Sequence, residues 1–185
     1  MSHAYVAGEA AREANLLGAT ALAVSERVDE AVRLAAAHGG AAPAALVALA
    51  TFLDGSSLDV MRRPLGLSHS AAVRLADRLA RADLVRREPG ADGRSVSIRL
   101  TPEGAALALK IRAAREEALE AVLAPLSGGE RAQLTALHEK LLAGITGGRA
   151  DAGHICRLCD ADACGHERGR CPVTLAADRA EAAVA

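Results

Sequence analysis

The segment from residue 67 to 101 constrains the fold of this chain most, because its hydrophobic period changes within a few residues. Its first part has apolar side chains at the spacing of one helix face. After a Pro-Gly-Ala-Asp-Gly segment at 89–93, apolar and polar residues alternate over 96–100, which predicts a half-buried strand. Residues 84–88 are predicted to be its antiparallel partner. The helical spacing is carried by Leu67, Ala71, Ala72, Leu75 and Leu79.

A helix that leads directly into a basic hairpin is the layout of a winged helix-turn-helix. Ser68 can cap this helix, because its hydroxyl can accept a hydrogen bond from a first-turn N–H group. Ser57 can cap a short preceding helix, which Pro64 is expected to end. Gly66 then permits a left-handed turn between the two helices. The expected fold class is therefore mainly α with a small β-hairpin wing, an α+β winged helix-turn-helix.

Positive charge is concentrated in this part of the chain. Residues 56–101 contain nine arginines and five acidic residues, whereas the whole chain has a net charge of −1. A local basic face on an acidic body favours sequence-specific DNA binding over general binding of polyanions. Aromatic residues make up 1% of the chain, so we expect no aromatic cage for a ligand.

These motifs resemble the MarR family of bacterial transcription regulators. The similarity lies in Asp92-Gly93-Arg94, in the alternating strand that ends at Leu100-Thr101, and in the helix that ends Asp77-Arg78-Leu79. It covers roughly residues 10–148. It implies a homodimer formed by the N- and C-terminal helices and a repressor that binds a palindromic double-stranded DNA operator. It also implies that a small-molecule effector is possible.

Residues at the start of a recognition helix meet base edges in the major groove. Arg74 can pair with a guanine edge and Val73 can contact a thymine methyl group, whereas Arg78 is expected to contact phosphate. Arg94, held by Asp92, is expected to enter the minor groove. The alternative for each arginine is a solvated side chain with no DNA contact. The candidate DNA-binding residues are Ser68, His69, Ser70, Val73, Arg74, Arg78, Asp92 and Arg94.

The patterns give five regions, and the resemblance implies the dimerisation role of two of them. Residues 8–40 form an N-terminal dimerisation helix, 41–101 the winged helix domain, and 102–148 the C-terminal dimerisation helices. Residues 154–172 form a four-cysteine module, and 173–185 a tail. The alternative for the apolar stripe of the first helix is packing within one subunit.

Start and stop signals place the remaining helices. The first helix is predicted to cover 8–37, with Gly39-Gly40 as the signal that ends it, and a second covers 43–53. Thr101-Pro102 begins a helix that runs to about Ala124. Ser127 and Glu130 have the spacing of a capping box, which predicts a further helix behind them.

The four cysteines have the spacing C-x2-C-x4-C-x6-C, and few apolar residues lie between them. Four thiolates so close in sequence can close a tetrahedral all-sulfur shell, so we predict a zinc site. His154 or His166 can substitute for one thiolate. The predicted metal ligands are Cys156, Cys159, Cys164 and Cys171.

Two alternatives to zinc remain open. An iron–sulfur cluster also takes four cysteines, and the segment with its final Cys-Pro is loosely similar to the cluster-binding end of redox-sensing MerR-family regulators. A thiol switch is the second alternative, because Arg157, Arg168 and Arg170 can lower cysteine pKa values and favour oxidation.

The sequence contains no apolar run of the roughly 18–20 residues that span a bilayer and no secretory signal pattern at its start. We therefore expect a cytoplasmic protein without a membrane partner, in which cysteines serve as metal ligands rather than disulfides. No nucleophile–base–orienter set is evident, so we expect no enzyme. The alternative functions are a thiol or redox protein, or a protein-interaction module that uses the cysteine knuckle without specific DNA binding.

Overall fold

The computed structural model describes residues 2–90 and 96–183, with side chains from residue 8 onward in those ranges. The helices are α1 (Ser2–Ala36), α2 (Ala42–Ala48), α3 (Leu58–Arg62), α4 (His69–Arg81), α5 (Pro102–Leu123), α6 (Gly128–Ile145), α7 (Arg149–Cys156), α8 (Ala161–Cys164) and α9 (Pro172–Ala182). The strands are β1 (Ser56–Ser57), β2 (Val85–Pro89) and β3 (Val96–Leu100).

The described chain is mainly helical with one antiparallel sheet in the order β1-β3-β2. β2 and β3 form the predicted hairpin, with Arg87 opposite Ile98. The predicted winged helix-turn-helix of the α+β class is therefore confirmed. β1 pairs with β3 through Ser56 and Ser57, and sequence periodicity did not predict it because two residues are too short to show an alternation.

The core lies between α2, α3, α4, β3 and α5. Its side chains come from each of these elements, so the helix-turn-helix, the wing and the long α5 share one buried cluster. The largest of its fully buried side chains are Leu46, Leu49, Met61, Leu75, Leu79, Ile98 and Ile111.

The helix-turn-helix follows the sequence signals closely. The Ser68 hydroxyl accepts a hydrogen bond from the Ala71 N–H at 3.3 Å and so caps α4. Ser57 caps α3 in the same manner. Gly66 has φ +64°, the left-handed conformation that glycine adopts without steric cost. The predicted caps and the predicted turn are confirmed.

The first two helices end within one residue of the prediction, but the second changes its helix type. The second helix is α-helical only to Ala48 and continues as a π-helical segment, Leu49–Leu53. Here the Thr51 hydroxyl donates to the Val47 carbonyl at 2.9 Å, a contact that competes with the regular backbone ladder. The first helix, predicted to reach residue 37, ends at Ala36, because Ala37 has φ +51°.

The start of α5 is fixed against the wing. Thr101 accepts from the Gly104 N–H at 3.0 Å and donates to the Asp83 carbonyl at 2.6 Å. At Gly104 the helix passes so close to the chain leading into β2 that a Cβ would lie 1.9 Å from the Leu84 carbonyl oxygen. The predicted Thr-Pro helix start is thus confirmed, and its glycine has a packing role.

The predicted capping box at the start of α6 is also present. The Ser127 hydroxyl accepts from the Glu130 N–H, while the Glu130 carboxylate accepts from the Ser127 N–H at 2.8 Å. Hydrogen bonds from the Ser127 side chain and backbone lower the pKa of Glu130.

The last three helices fold back on the rest of the chain. α9 packs against both α6 and α7, with Val173 and Ala177 buried. The region predicted as a tail, 173–185, therefore contains most of a packed helix. Within the described residues, we find no helix with the length and apolar character needed to cross a membrane.

Candidate functional site

One face of α4 carries uncompensated positive charge. Arg74, Arg78 and Arg81 are exposed and lie at the i, i+4 and i+7 positions of the helix. In the ranges that the structure covers, no acidic side chain lies within ion-pair distance of these guanidinium groups. The face presents three fixed positive charges to solvent.

Several other charges of the domain are paired and connect its elements. The Asp77 carboxylate of α4 lies 2.8 Å from the guanidinium of Arg87 on β2. Arg99 on β3 bridges Glu88, at 2.9 Å, and Asp54, at 2.8 Å. These pairs hold the wing against α4 and against the end of the π-helical segment.

The N-terminus of α4 is polar and accessible. Ser68, His69 and Ser70 are exposed, and the two serine hydroxyls lie 3.3 Å apart. The Nδ1 atom of His69 lies 3.5 Å from the Asp59 carboxylate on α3. Hydrogen bonds from Arg62, and then from His69, lower the pKa of Asp59. Three of the sequence-predicted candidates therefore sit together at one helix end.

Val73 is half-buried and lines a groove of about 350 Å³ between α3, α4 and the wing. Arg87 and Val96 line the same groove from the hairpin. The predicted wing-tip residues, Asp92 and Arg94, lie outside the described residues.

Three of the four cysteines lie at helix ends, Cys159 lies in the loop between α7 and α8, and the four come together as two pairs. Cys156 ends α7 and is hydrogen-bonded to Cys159. Cys164 ends α8 and donates through its thiol to the Cys171 sulfur at 3.5 Å. Cys171 immediately precedes α9 and is buried.

Within each pair, one thiol donates and the other carries the negative charge more readily. The hydrogen bond from Cys156 lowers the pKa of Cys159 to about 6 against the opposing effect of burial, and the charges of Arg115 and Arg157 assist. The same hydrogen bond, with burial, raises the pKa of Cys156.

The second pair shows the same division. Burial, together with the hydrogen bond to Cys171, raises the pKa of Cys164 to about 12. Burial opposes ionisation of Cys171, yet its pKa is lowered, chiefly by hydrogen bonds from the backbone and hydroxyl of Thr174. The cluster thus supplies one thiolate-prone sulfur from each pair.

The donor chemistry of the cluster fits a soft metal, and the Cys164–Cys171 pair has suitable spacing. Zinc–sulfur bonds of about 2.3 Å place tetrahedral ligands roughly 3.8 Å apart, close to the Cys164–Cys171 separation. Across residues 2–90 and 96–183, however, no three His, Cys, Asp or Glu side chains converge to hold a metal ion. A closed four-sulfur shell requires the two pairs to approach each other.

Both histidines near the cluster have other partners. The Nδ1 atom of His166 lies 3.0 Å from the Thr174 hydroxyl, and its ring meets the Phe52 ring edge-on, with centroids 5.3 Å apart. The Nδ1 atom of His154 lies 3.0 Å from the carbonyl oxygen of Pro64, in the turn between α3 and α4.

Sequence reasoning missed how the cluster is attached to the domain. Arg112 on α5 pairs with Asp160, between the two cysteine pairs. Arg115, one turn later, acts electrostatically on Cys159 and Cys164. No sequence pattern gives these contacts, because α5 precedes the cluster by about forty residues and helix periodicity marks only its apolar face.

No family model and no curated protein matches this chain. Solved structures do match its fold. A MarR family protein from Bacillus stearothermophilus has a TM-score of 0.66 at 24% identity, with 75% of this chain and 96% of that chain covered.

Two further structures agree. MepR, a transcription regulator of the Staphylococcus aureus multidrug efflux pump MepA, gives 0.62 at 20% identity, covering 71% of this chain and 97% of that one. A MarR family transcriptional regulator from Silicibacter pomeroyi has a TM-score of 0.52 at 26% identity, with 66% of this chain and 84% of that chain covered. The chain therefore has the winged-helix fold of MarR-family transcription regulators.

Proposed function

We propose that this protein is a homodimeric, sequence-specific transcription regulator, a repressor that binds a palindromic DNA operator. The observation that carries this proposal is the exposed face of α4, where Arg74, Arg78 and Arg81 lack acidic partners in the described chain. This face belongs to the second helix of a helix-turn-helix, the element that enters the major groove in such domains. The fold neighbours support this choice, since they are transcription regulators rather than enzymes.

Each candidate residue has a separate role in this proposal. The exposed start of α4, from Ser68 to Ser70, faces base edges, and Arg74 pairs with guanine. Val73 meets a thymine methyl group from the groove beside the wing. Arg78 contacts phosphate and positions the helix without reading sequence. Arg94, with Asp92, is assigned to the minor groove beside the wing.

The dimer is supported by apolar surface that a single subunit leaves open. α6 has no buried residue in the isolated chain, and its Leu137, Leu141 and Ile145 are about half exposed or more. α1 similarly exposes Leu17 and Leu22. Exposed apolar stripes on two long helices favour a protein interface. A two-fold dimer places two copies of α4 on a two-fold operator.

The cysteine cluster is proposed to bind zinc, with an iron–sulfur cluster as the alternative. Support comes from the four thiols, their arrangement in two pairs and the thiolate-prone sulfur in each pair. Cys156, Cys159, Cys164 and Cys171 would hold the metal, which would link three short helices that have little core of their own.

Gel-shift titration with the promoter region of the protein's own gene tests the DNA-binding proposal. Arg74→Ala is expected to weaken specific binding by roughly five- to 150-fold and to relax the preference at one base pair. Arg78→Ala is expected to weaken binding to all DNA sequences alike. It should also reduce the slope of the logarithm of the binding constant against the logarithm of salt concentration by about 1. Arg179→Ala on α9 is the control and should bind normally. Equal binding of specific and random DNA by the wild type would contradict the proposal.

The metal is tested by elemental analysis and a visible absorption spectrum of protein purified without oxygen. One zinc per chain and no colour support the zinc assignment. Iron with charge-transfer absorption supports the cluster. Protein that carries neither metal and does not take up zinc on titration contradicts both.

A further inference from the structure

The cysteine cluster and the helix-turn-helix are in direct contact within one subunit. The middle of α7 lies against Pro64, in the turn between α3 and α4. The ring nitrogen Nδ1 of His154 lies 3.0 Å from the Pro64 carbonyl oxygen. Because a carbonyl can only accept, this nitrogen carries the proton and donates. One residue earlier, a Cβ at Gly153 would lie 3.3 Å from Pro64 Cγ. This separation leaves almost no space between the two segments.

The contact continues on both sides of this point. Leu158 packs against the core cluster, as does Leu65 next to Pro64. His154 and Leu158 lie together with Leu65 along one open cavity at the end of α1. The residues that contact the turn and the core, from Gly153 to Leu158, therefore lie next to Cys156 and Cys159 in the chain. A change in either cysteine affects the backbone that carries these contacts.

The far side of this segment is fixed to a different element. Asp160 follows Cys159 directly and pairs with Arg112 on α5. Arg112 is largely buried, and its Nε atom has no hydrogen-bond partner in the described chain. The segment that carries Cys156 and Cys159 is therefore held at two places, by Pro64 next to α4 and by Arg112 on α5.

We propose that the cysteine cluster of each subunit controls DNA binding by supporting the turn before its own recognition helix, through the contact of His154 and Gly153 with Pro64. His154 acts as a positioning residue. The pair of Cys156 and Cys159 fixes the end of α7, and α7 then fixes Pro64 and the N-terminus of α4. Loss of the paired arrangement releases this support. The regulatory consequence rests on the proposed DNA-binding function, whereas the mechanical coupling does not.

Amide hydrogen exchange of residues 63–68 tests the coupling without DNA. The full-length protein is compared with Cys156→Ser/Cys159→Ser and with His154→Ala. In both variants the amides of this segment are expected to exchange at least about tenfold faster. In the wild type, local opening of the segment must break its contact with α7, and without that contact opening costs less free energy. His154→Asn is the rescue, since its side-chain N–H stands in the place of Nδ1, and it should exchange like the wild type. His138→Ala, an exposed histidine on α6, is the matched control.

Operator affinity of the same proteins tests the consequence. His154→Ala and the cysteine double variant are expected to bind about tenfold more weakly, and His154→Asn normally. Circular dichroism of each variant confirms that it is folded. If the double variant does not fold, the comparison of His154→Ala with His154→Asn decides.

Unchanged exchange of residues 63–68 in His154→Ala overturns the coupling, as does equal loss of protection in His154→Ala and His154→Asn. Wild-type protein that binds no operator contradicts the proposed function instead. In that case, the exchange results still support or overturn the contact between the cluster and the turn.

Discussion

Replacing Gly104 by alanine separates local helix propensity from tertiary packing. Gly104 lies in the first turn of α5, and its added Cβ would lie 1.9 Å from the Leu84 carbonyl oxygen and 2.9 Å from the Leu84 carbonyl carbon. Both partners are backbone atoms, so neither can rotate away. Propensity alone predicts that alanine stabilises the helix by about 1 kcal/mol. The structure predicts the opposite sign.

The size of the effect follows from what must move. Relief requires a shift of about 1 Å between α5 and the chain entering β2, and overpacking of this kind costs roughly 1–3 kcal/mol. The shift also strains the hydrogen bonds from Gly104 to Thr101 and from Thr101 to Asp83, each worth about 1 kcal/mol net. After the propensity gain, we expect the free energy of unfolding to fall by about 2–4 kcal/mol.

Urea and thermal unfolding, followed by far-ultraviolet circular dichroism at one fixed protein concentration, measures this change. The concentration is fixed because dimer stability depends on it. A melting temperature lower by roughly 5–15 °C is expected for a chain of this size. Gly129→Ala on α6 is the control, since nothing lies within 4 Å of its Cβ position, and it should be neutral or slightly stabilising. A Gly104→Ala protein as stable as the wild type would refute the reasoning.

Three further measurements follow from local contacts. Ser127→Ala should lower the free energy of unfolding by about 1 kcal/mol, because it removes the cap of α6. The pKa of Glu130 is lowered in the folded state, so its contribution to stability is complete above the ordinary value of 4.5 and is lost as pH falls through the lowered pKa. The wild type should therefore lose more stability than Glu130→Gln between neutral and strongly acidic pH in urea titrations. Met61→Ala, at a fully buried position of α3, should cost about 2–5 kcal/mol, whereas its exposed neighbour Val60→Ala should cost less than about 1; equal losses in denaturant midpoint would contradict the assignment of the core.

Much of the winged helix could be predicted because its signals are local. The change of period between α4 and the hairpin, the caps at Ser57 and Ser68, and the left-handed Gly66 each depend on a few neighbouring residues. The charge of α4 was also readable, since the exposed face of an amphipathic helix follows from the position of its buried face.

Other features depend on residues far apart in the chain. The two-residue β1 exists because β3 offers it a partner. Arg87 and Arg99 are paired with acidic groups, whereas Arg74 has no acidic partner among residues 2–90 and 96–183, and only the packed domain decides which arginines are compensated there. The wing-tip prediction for Asp92 and Arg94 stays a prediction.

The sequence by itself determined that four thiols lie close together in the chain and that a helix-turn-helix precedes a wing, because both features depend on residues only a few positions apart. Tertiary structure alone decided that the thiols meet as two pairs, that Arg112 anchors Asp160, and that His154 reaches Pro64. The physical reason is the range of the interactions. Caps and hydrophobic periods act within one or two turns, whereas α7 and the turn it contacts are ninety residues apart in the chain and meet only because the chain folds back on a common core.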